Sequence, residues 1–182
     1  MNEVSDMTLL EAWRDGDNQA GSALLGRHFT SLLRFFEHKV GADADELIQR
    51  TMLACAESFH RFRGEASFRT YLFTIARHEL FRFFRQRSAR SAQLDFSVSS
   101  LQDLRTSATA QLSRHQGQVA LAQAVQQLPL DDQILLELFY TEELDSRALA
   151  EIFEIEPSSV RARLHRARAA VGQIMSRDEG SQ

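Results

Sequence analysis

Apolar residues along this chain recur at three- and four-residue intervals, and no stretch sustains an alternation of apolar with polar positions. That period stacks side chains on one side of a helix, so the pattern predicts an all-α protein. Helices are expected over residues 6–15, 18–40, 43–60 and 67–89. Asp17 stands at an N-cap position before Asn18. Asp43 does the same before the turn Ala44-Asp45-Glu46, whose acids complement a helix dipole. Residues 61–66 read as a loop, with Ser67 capping the helix that follows. On that helix Phe68, Tyr71, Leu72, Ile75 and Phe83 form one stripe and read as core. Phe73, Arg77, Phe81 and Phe84 point elsewhere, toward a neighbouring helix, a partner or nucleic acid.

The pattern fades over 91–115, which are rich in Ser, Thr, Gln and Ala. This is linker composition, with at most a weak helix over Leu101–Leu112. Periodicity returns near Gln118, where Val119, Leu121, Ala122, Val125 and Leu128 make an apolar face. Leu128-Pro129-Leu130-Asp131 closes that helix and opens another over 132–140, followed by a loop at 141–144. Asp145 can cap a short helix through Phe153, with Ala148, Leu149 and Ile152 on one side. Glu154-Ile155-Glu156 then turn the chain, Pro157 suits a first helical turn, and Ser158 or Ser159 offers cap chemistry. Two short helices across a three-residue turn make a helix-turn-helix. Its second helix carries an apolar stripe of Val160, Leu164, Ala167, Val171 and Ile174. The other side presents Arg161, Ala162, His165, Arg166 and Ala169, small residues among arginines, which suit close approach to a major groove. Two small helical domains are therefore expected, 1–90 and 117–177, joined by a linker at 91–116 and followed by a tail at 178–182.

Charge sharpens this picture. The net charge of −4 looks unsuited to nucleic acid, but it averages over a segregation. Residues 61–90 carry eight arginines against two acids, 131–156 carry nine acids against Arg147, and 157–170 carry four arginines and no acid. Lys39 is the one lysine beside 20 arginines. Arginine forks phosphates and base edges and stacks on rings, although base composition of a genome can produce the same bias. Between Phe62 and Arg90 the arginines interleave with eight aromatic residues, His78 included. Basic and aromatic residues on one helix suit a single nucleic-acid strand. The acidic block reads as a solvated face that offsets the arginines. The sharper alternative is that it repels DNA until a partner covers it, or contacts 61–90 in a closed free state. Neutral residues in place of Glu142, Glu143 and Asp145 would separate the two.

Other classes find little support. No apolar run approaches the ~18 residues of a membrane span. The N-terminus lacks the basic and apolar regions of a signal peptide, so a cytoplasmic protein is expected, with no membrane insertion. Cys55 permits no internal disulfide, and its neighbours Leu53, Ala54, Ala56 and Phe59 suggest a buried, apolar thiol. His28, His38, His60, His78, His115 and His165 are dispersed, with no metal-ligand spacing. There is no glycine-rich phosphate loop and no nucleophile elbow, and Glu57/His60 is a single Glu-x-x-His. Neither catalysis nor a cofactor is expected.

Three motifs in order resemble the extracytoplasmic-function (ECF) class of bacterial RNA polymerase sigma factors, and the resemblance covers nearly the whole chain. Asp43-Ala44-Asp45-Glu46-Leu47-Ile48-Gln49 is similar to the acidic-leucine-glutamine motif that binds the β′ clamp helices. Phe62 to Leu72 followed by Ile75-Ala76-Arg77 resembles the segment that melts promoters and grips the minus-ten element. Leu128-Pro129, Leu149-Ala150-Glu151-Ile152 and Val160 to Arg168 resemble the minus-thirty-five domain. The resemblance implies a region 2 bundle and a region 4 helix-turn-helix. It implies core-polymerase contacts at Asp45, Glu46, Leu47, Gln49, Arg50 and Leu53, and at the β flap. It implies minus-ten contacts at Arg63, Gly64, Glu65, Ser67, Arg69, Arg77, His78, Arg82 and Arg85. Minus-thirty-five contacts follow at Ser158, Ser159, Arg161, Ala162, Arg163, His165, Arg166 and Arg168, with Arg163 and Arg168 on phosphates. Only a short polar tail follows the last helix, so regulation is expected from a separate anti-sigma factor.

The chain departs from the family's pattern at four places. His78 stands where asparagine usually helps to hold a flipped base, and Arg50 replaces an acid. Glu154 replaces the turn glycine, and Arg147-Ala148 replaces a Glu-Glu pair. The main rival is a helix-turn-helix regulator acting without polymerase. It explains 128–175 but leaves 43–60 and the basic-aromatic helix without a role. A sigma-mimicking inhibitor would have lost the DNA-facing arginines, which are present.

Overall fold

The computed structural model describes residues 4–94 and 116–179. Every regular element among them is helical, and the chain divides into two compact units, Met1–Ser107 and Ala108–Gln182. The expected weak helix at Leu101–Leu112 and the end of the tail lie outside the described residues.

In the first unit α1 spans Asp6–Arg14, α2 Asn18–Arg27, α3 Phe29–Val40, α4 Ala44–Ser58 and α5 Phe68–Leu94. The single helix expected over 18–40 is two. The break falls at His28, whose backbone leaves the helical region (φ −97°, ψ 0°). Its Nε2 lies 2.8 Å from Asp6 Oδ2, a tertiary bond to α1 that fixes the break. Asp17 caps α2 as expected, its Oδ1 accepting from Gln19 N and Ala20 N. Asp43 does not cap α4 by its side chain; its carboxylate accepts from Arg87 of α5 at 3.4 Å. Short 3-10 turns at Gly41–Asp43 and Phe59–Arg61 flank α4. Ser67 Oγ accepts from Thr70 N at 3.0 Å and starts α5, which runs five residues past its expected end.

Helix α5 packs on both α3 and α4. A helix with two neighbours buries a wider arc than one stripe. Its core positions are accordingly Phe68, Leu72, Phe73, Ala76 and Leu80, whereas Tyr71, Ile75 and Phe83 are only half-buried. Phe73, expected off the core stripe, meets Phe35 of α3 edge-on at 5.6 Å between ring centres. Leu32, Phe36, Leu47, Ile48 and Leu10 complete the interior. Full burial of each such side chain is worth about 1.5–3 kcal/mol.

In the second unit α6 spans Gln116–Gln126, α7 Leu130–Tyr140, α8 Ser146–Phe153 and α9 Pro157–Glu179. Pro129 occupies the position before α7, where a missing N–H costs nothing. Asp145 caps α8, its Oδ1 accepting from Arg147 N (3.0 Å) and Ala148 N (2.8 Å). Glu154 ends α8 in the left-handed region (φ 55°, ψ 42°), as the turn requires despite the missing glycine. Ile155 N then returns to Ala150 O at 3.0 Å. Glu156 O accepts from Ser159 N and Val160 N, so Ser158 and Ser159 lie inside the first turn of α9 and do not form its cap. Val160, Leu164, Ala167 and Val171 face the core as expected, against Ile134, Leu135, Leu138, Leu149, Ile152 and Phe153. On α6 the buried positions are Ala124 and, just beyond its end, Leu128; Leu121 and Ala122 are exposed, contrary to the expected face.

Candidate nucleic-acid and polymerase interfaces

The exposed side of α9 is positioned by the capped α8 and the tight turn, which fix where α9 begins. Arg161, Ala162, His165 and Arg166 are exposed together on it, with Ser158 and Ser159 at its start. Arg163 is not with them. Its Nε lies 2.6 Å from Asp132 Oδ1, its Nη2 lies 3.7 Å from Asp131 Oδ2, and its guanidinium sits 5.5 Å over the Phe153 ring. Arg163, expected to contact phosphate, is engaged here in a clasp of α9 onto α7 and α8. Arg168 is exposed, with its guanidinium 5.3 Å from the centre of Phe139 and 5.4 Å from that of Tyr140.

The acidic block that precedes α9 has local work. Asp131 and Asp132 hold Arg163, Asp145 caps α8, and Glu142 is only 2% exposed. Exchanging Glu142, Glu143 and Asp145 together would therefore remove a cap and disturb a buried side chain as well as change the field.

In the first unit the segment between Phe62 and α5 exposes Arg63, Gly64, Glu65 and Ser67. Gly64 has φ +76°, a conformation that favours glycine. Arg14 of α1 donates to the carbonyl oxygens of Phe59 (3.3 Å) and Phe62 just before this loop. Phe62 stacks on Tyr71 at 4.8 Å, so the loop is seated on α5. Along α5, His78, Arg82 and Arg85 are exposed, and their i, i+4, i+7 spacing puts them on one side. Arg77 is half-buried, 4.9 Å from the Phe81 ring centre. Arg69 lies 5.9 Å from the Phe73 ring, and nine residues of helix separate it from His78, which is half a revolution. Arg69 therefore does not join the His78 group.

On α4, Asp45, Glu46, Gln49 and Leu53 are exposed, and Leu53 is 60% exposed despite being apolar. Two expected contacts turn inward. Leu47 is fully buried, so it cannot touch another molecule's surface. Arg50 is half-buried and reaches Glu79 of α5. Glu79, Arg14 and Trp13 were not among the expected site residues. A lone acid in the basic-aromatic helix was the available signal for Glu79; nothing local marks the other two.

Among the described residues no group of His, Cys, Asp and Glu could hold a metal ion, and no helix is long and apolar enough to cross a membrane. Sigma-70 region 2 matches residues 24–90 and Sigma-70 region 4 matches residues 118–171. The chain is similar to the RNA polymerase sigma factor YlaC of Bacillus subtilis, 31% identical over 139 residues, which are 74% of this chain and 78% of that protein. It is 24% identical to the ECF RNA polymerase sigma-E factor of Haemophilus influenzae, over 93% of this chain and 94% of the relative. Its fold is similar to that of the sigma factor RpoE solved with the anti-sigma factor NepR from Bartonella quintana. That TM-score is 0.67 at 19% identity, covering 85% of this chain and 96% of the other. With both sigma-70 regions present in order and relatives matched along most of its length, the chain belongs to the sigma-70 family of RNA polymerase sigma factors, in the ECF class.

Proposed function

We propose that this chain binds core RNA polymerase through α4 and directs it to promoters by two separate contacts. Asp45, Glu46, Gln49 and Leu53 offer the exposed surface for the β′ clamp helices, and the second unit offers one for the β flap. Arg161, His165 and Arg166 on α9 read minus-thirty-five duplex, with Ser158, Ser159 and Arg168 beside them on the backbone. The Arg63–Ser67 loop with His78, Arg82 and Arg85 receives unpaired minus-ten bases. The observation that carries this reading is the exposed Arg161-His165-Arg166 face behind a capped helix-turn-helix, in a chain that also matches region 2.

No catalysis by the chain is called for. Extruding a base costs a few kcal/mol, and stacking returns about 1–3 kcal/mol per base. A small domain captures one or two bases unless polymerase contributes the rest. The RpoE relative was solved with an anti-sigma factor, which supports a separate protein of that kind as the regulator here.

Transcription of genomic DNA by core polymerase with and without the purified chain tests the reading. Discrete new start sites are expected only with the chain. Tight, sequence-specific duplex binding by the isolated chain, without new starts, would favour a regulator that acts without polymerase.

A further inference from the structure

Helix α1 precedes both matched regions, yet three of its side chains reach the Arg63–Ser67 loop or the segment that leads into it. Arg14 donates to the carbonyls of Phe59 and Phe62. Trp13 lies flat against Phe59, with ring centres 3.9 Å apart and planes 5° from parallel. Met7 Cε stands 3.4 Å from where a β-carbon on Gly64 would sit. Helix α1 is itself held firmly. Asp6 takes Arg27 Nη1 at 2.7 Å and His28 Nε2 at 2.8 Å. The Trp13 indole sits directly on Gly21, where any β-carbon would stand 2.5 Å from the ring.

Phe59 O also accepts from Phe62 N at 3.1 Å, closing the 3-10 turn, and Phe62 then leaves that turn in an extended conformation. A single nitrogen, Arg14 Nη2, donates to both oxygens, so one charged group at the end of a long side chain ties the two carbonyls together. The direction in which the chain leaves Phe62 is thereby set from α1.

We infer that Arg14 is a positioning residue for the Arg63–Ser67 loop, so that α1 presets the geometry in which that loop receives extruded bases. This rests on the proposed role of the loop. Holding a loop in its bound shape removes the cost of ordering it at the moment of capture.

The test uses full-length wild type, Arg14→Gln and Arg14→Lys with core polymerase. The templates are a promoter selected by the wild-type holoenzyme and its single-base minus-ten variants. The readout is the ratio of open-complex rates between the promoter and each variant, which does not depend on the fraction of active protein. Arg14→Gln is expected to lower that discrimination about tenfold, the worth of a charge-assisted hydrogen bond, with affinity for core polymerase unchanged. Arg14→Lys is expected to fall between, since it keeps the charge on a shorter side chain that reaches the two carbonyls less well. A discrimination ratio equal to wild type in Arg14→Gln, whether or not total activity drops, overturns the inference. If wild type itself selects no promoter, the proposed function fails first, and that result is distinct.

Discussion

Arg50 Nε lies 3.2 Å from Glu79 Oε2, joining α4 to α5 by an ion pair at the edge of the core. Glu79 is 8% exposed, and its other oxygen lies 3.3 Å from Arg82 Nη1. The arginine that departs from the family's acidic residue therefore has its counter-charge within the same unit. Removing one partner leaves the other charge poorly compensated, a cost that exceeds the net worth of the pair. Arg50→Ala and Glu79→Ala are each expected to destabilise the first unit by about 2 kcal/mol, reduced from the fully buried case because Arg50 is partly solvated. The double variant should lose less than the two together, with a coupling of about 1 kcal/mol in urea unfolding. Strict additivity would show that the pair carries no energy.

Arg161 and Arg163 are two residues apart and chemically identical, but their surroundings assign them different effects. Arg161→Ala is expected to weaken minus-thirty-five binding by the holoenzyme by about 1–3 kcal/mol and to leave unfolding unchanged. Arg163→Ala breaks the clasp on Asp131 and Asp132 and should lower the stability of the second unit by about 1–2 kcal/mol. Paired DNA-binding and thermal-unfolding measurements on both variants check the contrast.

Leu53 is a large apolar side chain left in solvent on α4. Leu53→Asp is expected to weaken core-polymerase binding by at least about tenfold, as for an apolar anchor of an interface, while thermal unfolding stays near wild type. Titration of labelled core enzyme gives the affinity.

The ends of α8 offer opposite outcomes. Asp145→Ala removes two capping bonds and should destabilise the second unit by about 1 kcal/mol. Glu154→Gly relieves a left-handed conformation and should stabilise it by up to about 1 kcal/mol. Calorimetry of the full chain should therefore show the transition of that unit moving in opposite directions.

Much of the architecture could be read from local signals, because caps and periodicity are local. Asp17, Ser67 and Asp145 act on backbone groups two or three residues away, and all three cap as expected. What escaped depends on distant partners. The break at His28 is set by Asp6, 22 residues earlier, and no proline marks it. The inward turn of Arg163 depends on Asp132, 31 residues upstream. Phe73 looked peripheral because a single stripe understates the burial of a helix held between two others. Burial of Leu47 escaped for another reason: the motif ascribed to docking also carries Ala44, Leu47 and Ile48, which face the interior of their own bundle.

The lone cysteine is poorly placed to sense oxidants from within the folded bundle. Cys55 is wholly enclosed, and desolvation pushes its thiol up to about 12, so almost none is ionised at neutral pH. Peroxides and electrophiles react chiefly with the thiolate, whereas this sulfur is neutral and buried in the folded bundle. An oxidative cue can therefore reach this thiol only once the bundle opens, which leaves the thioether of Met7, 38% exposed, as the more accessible sulfur.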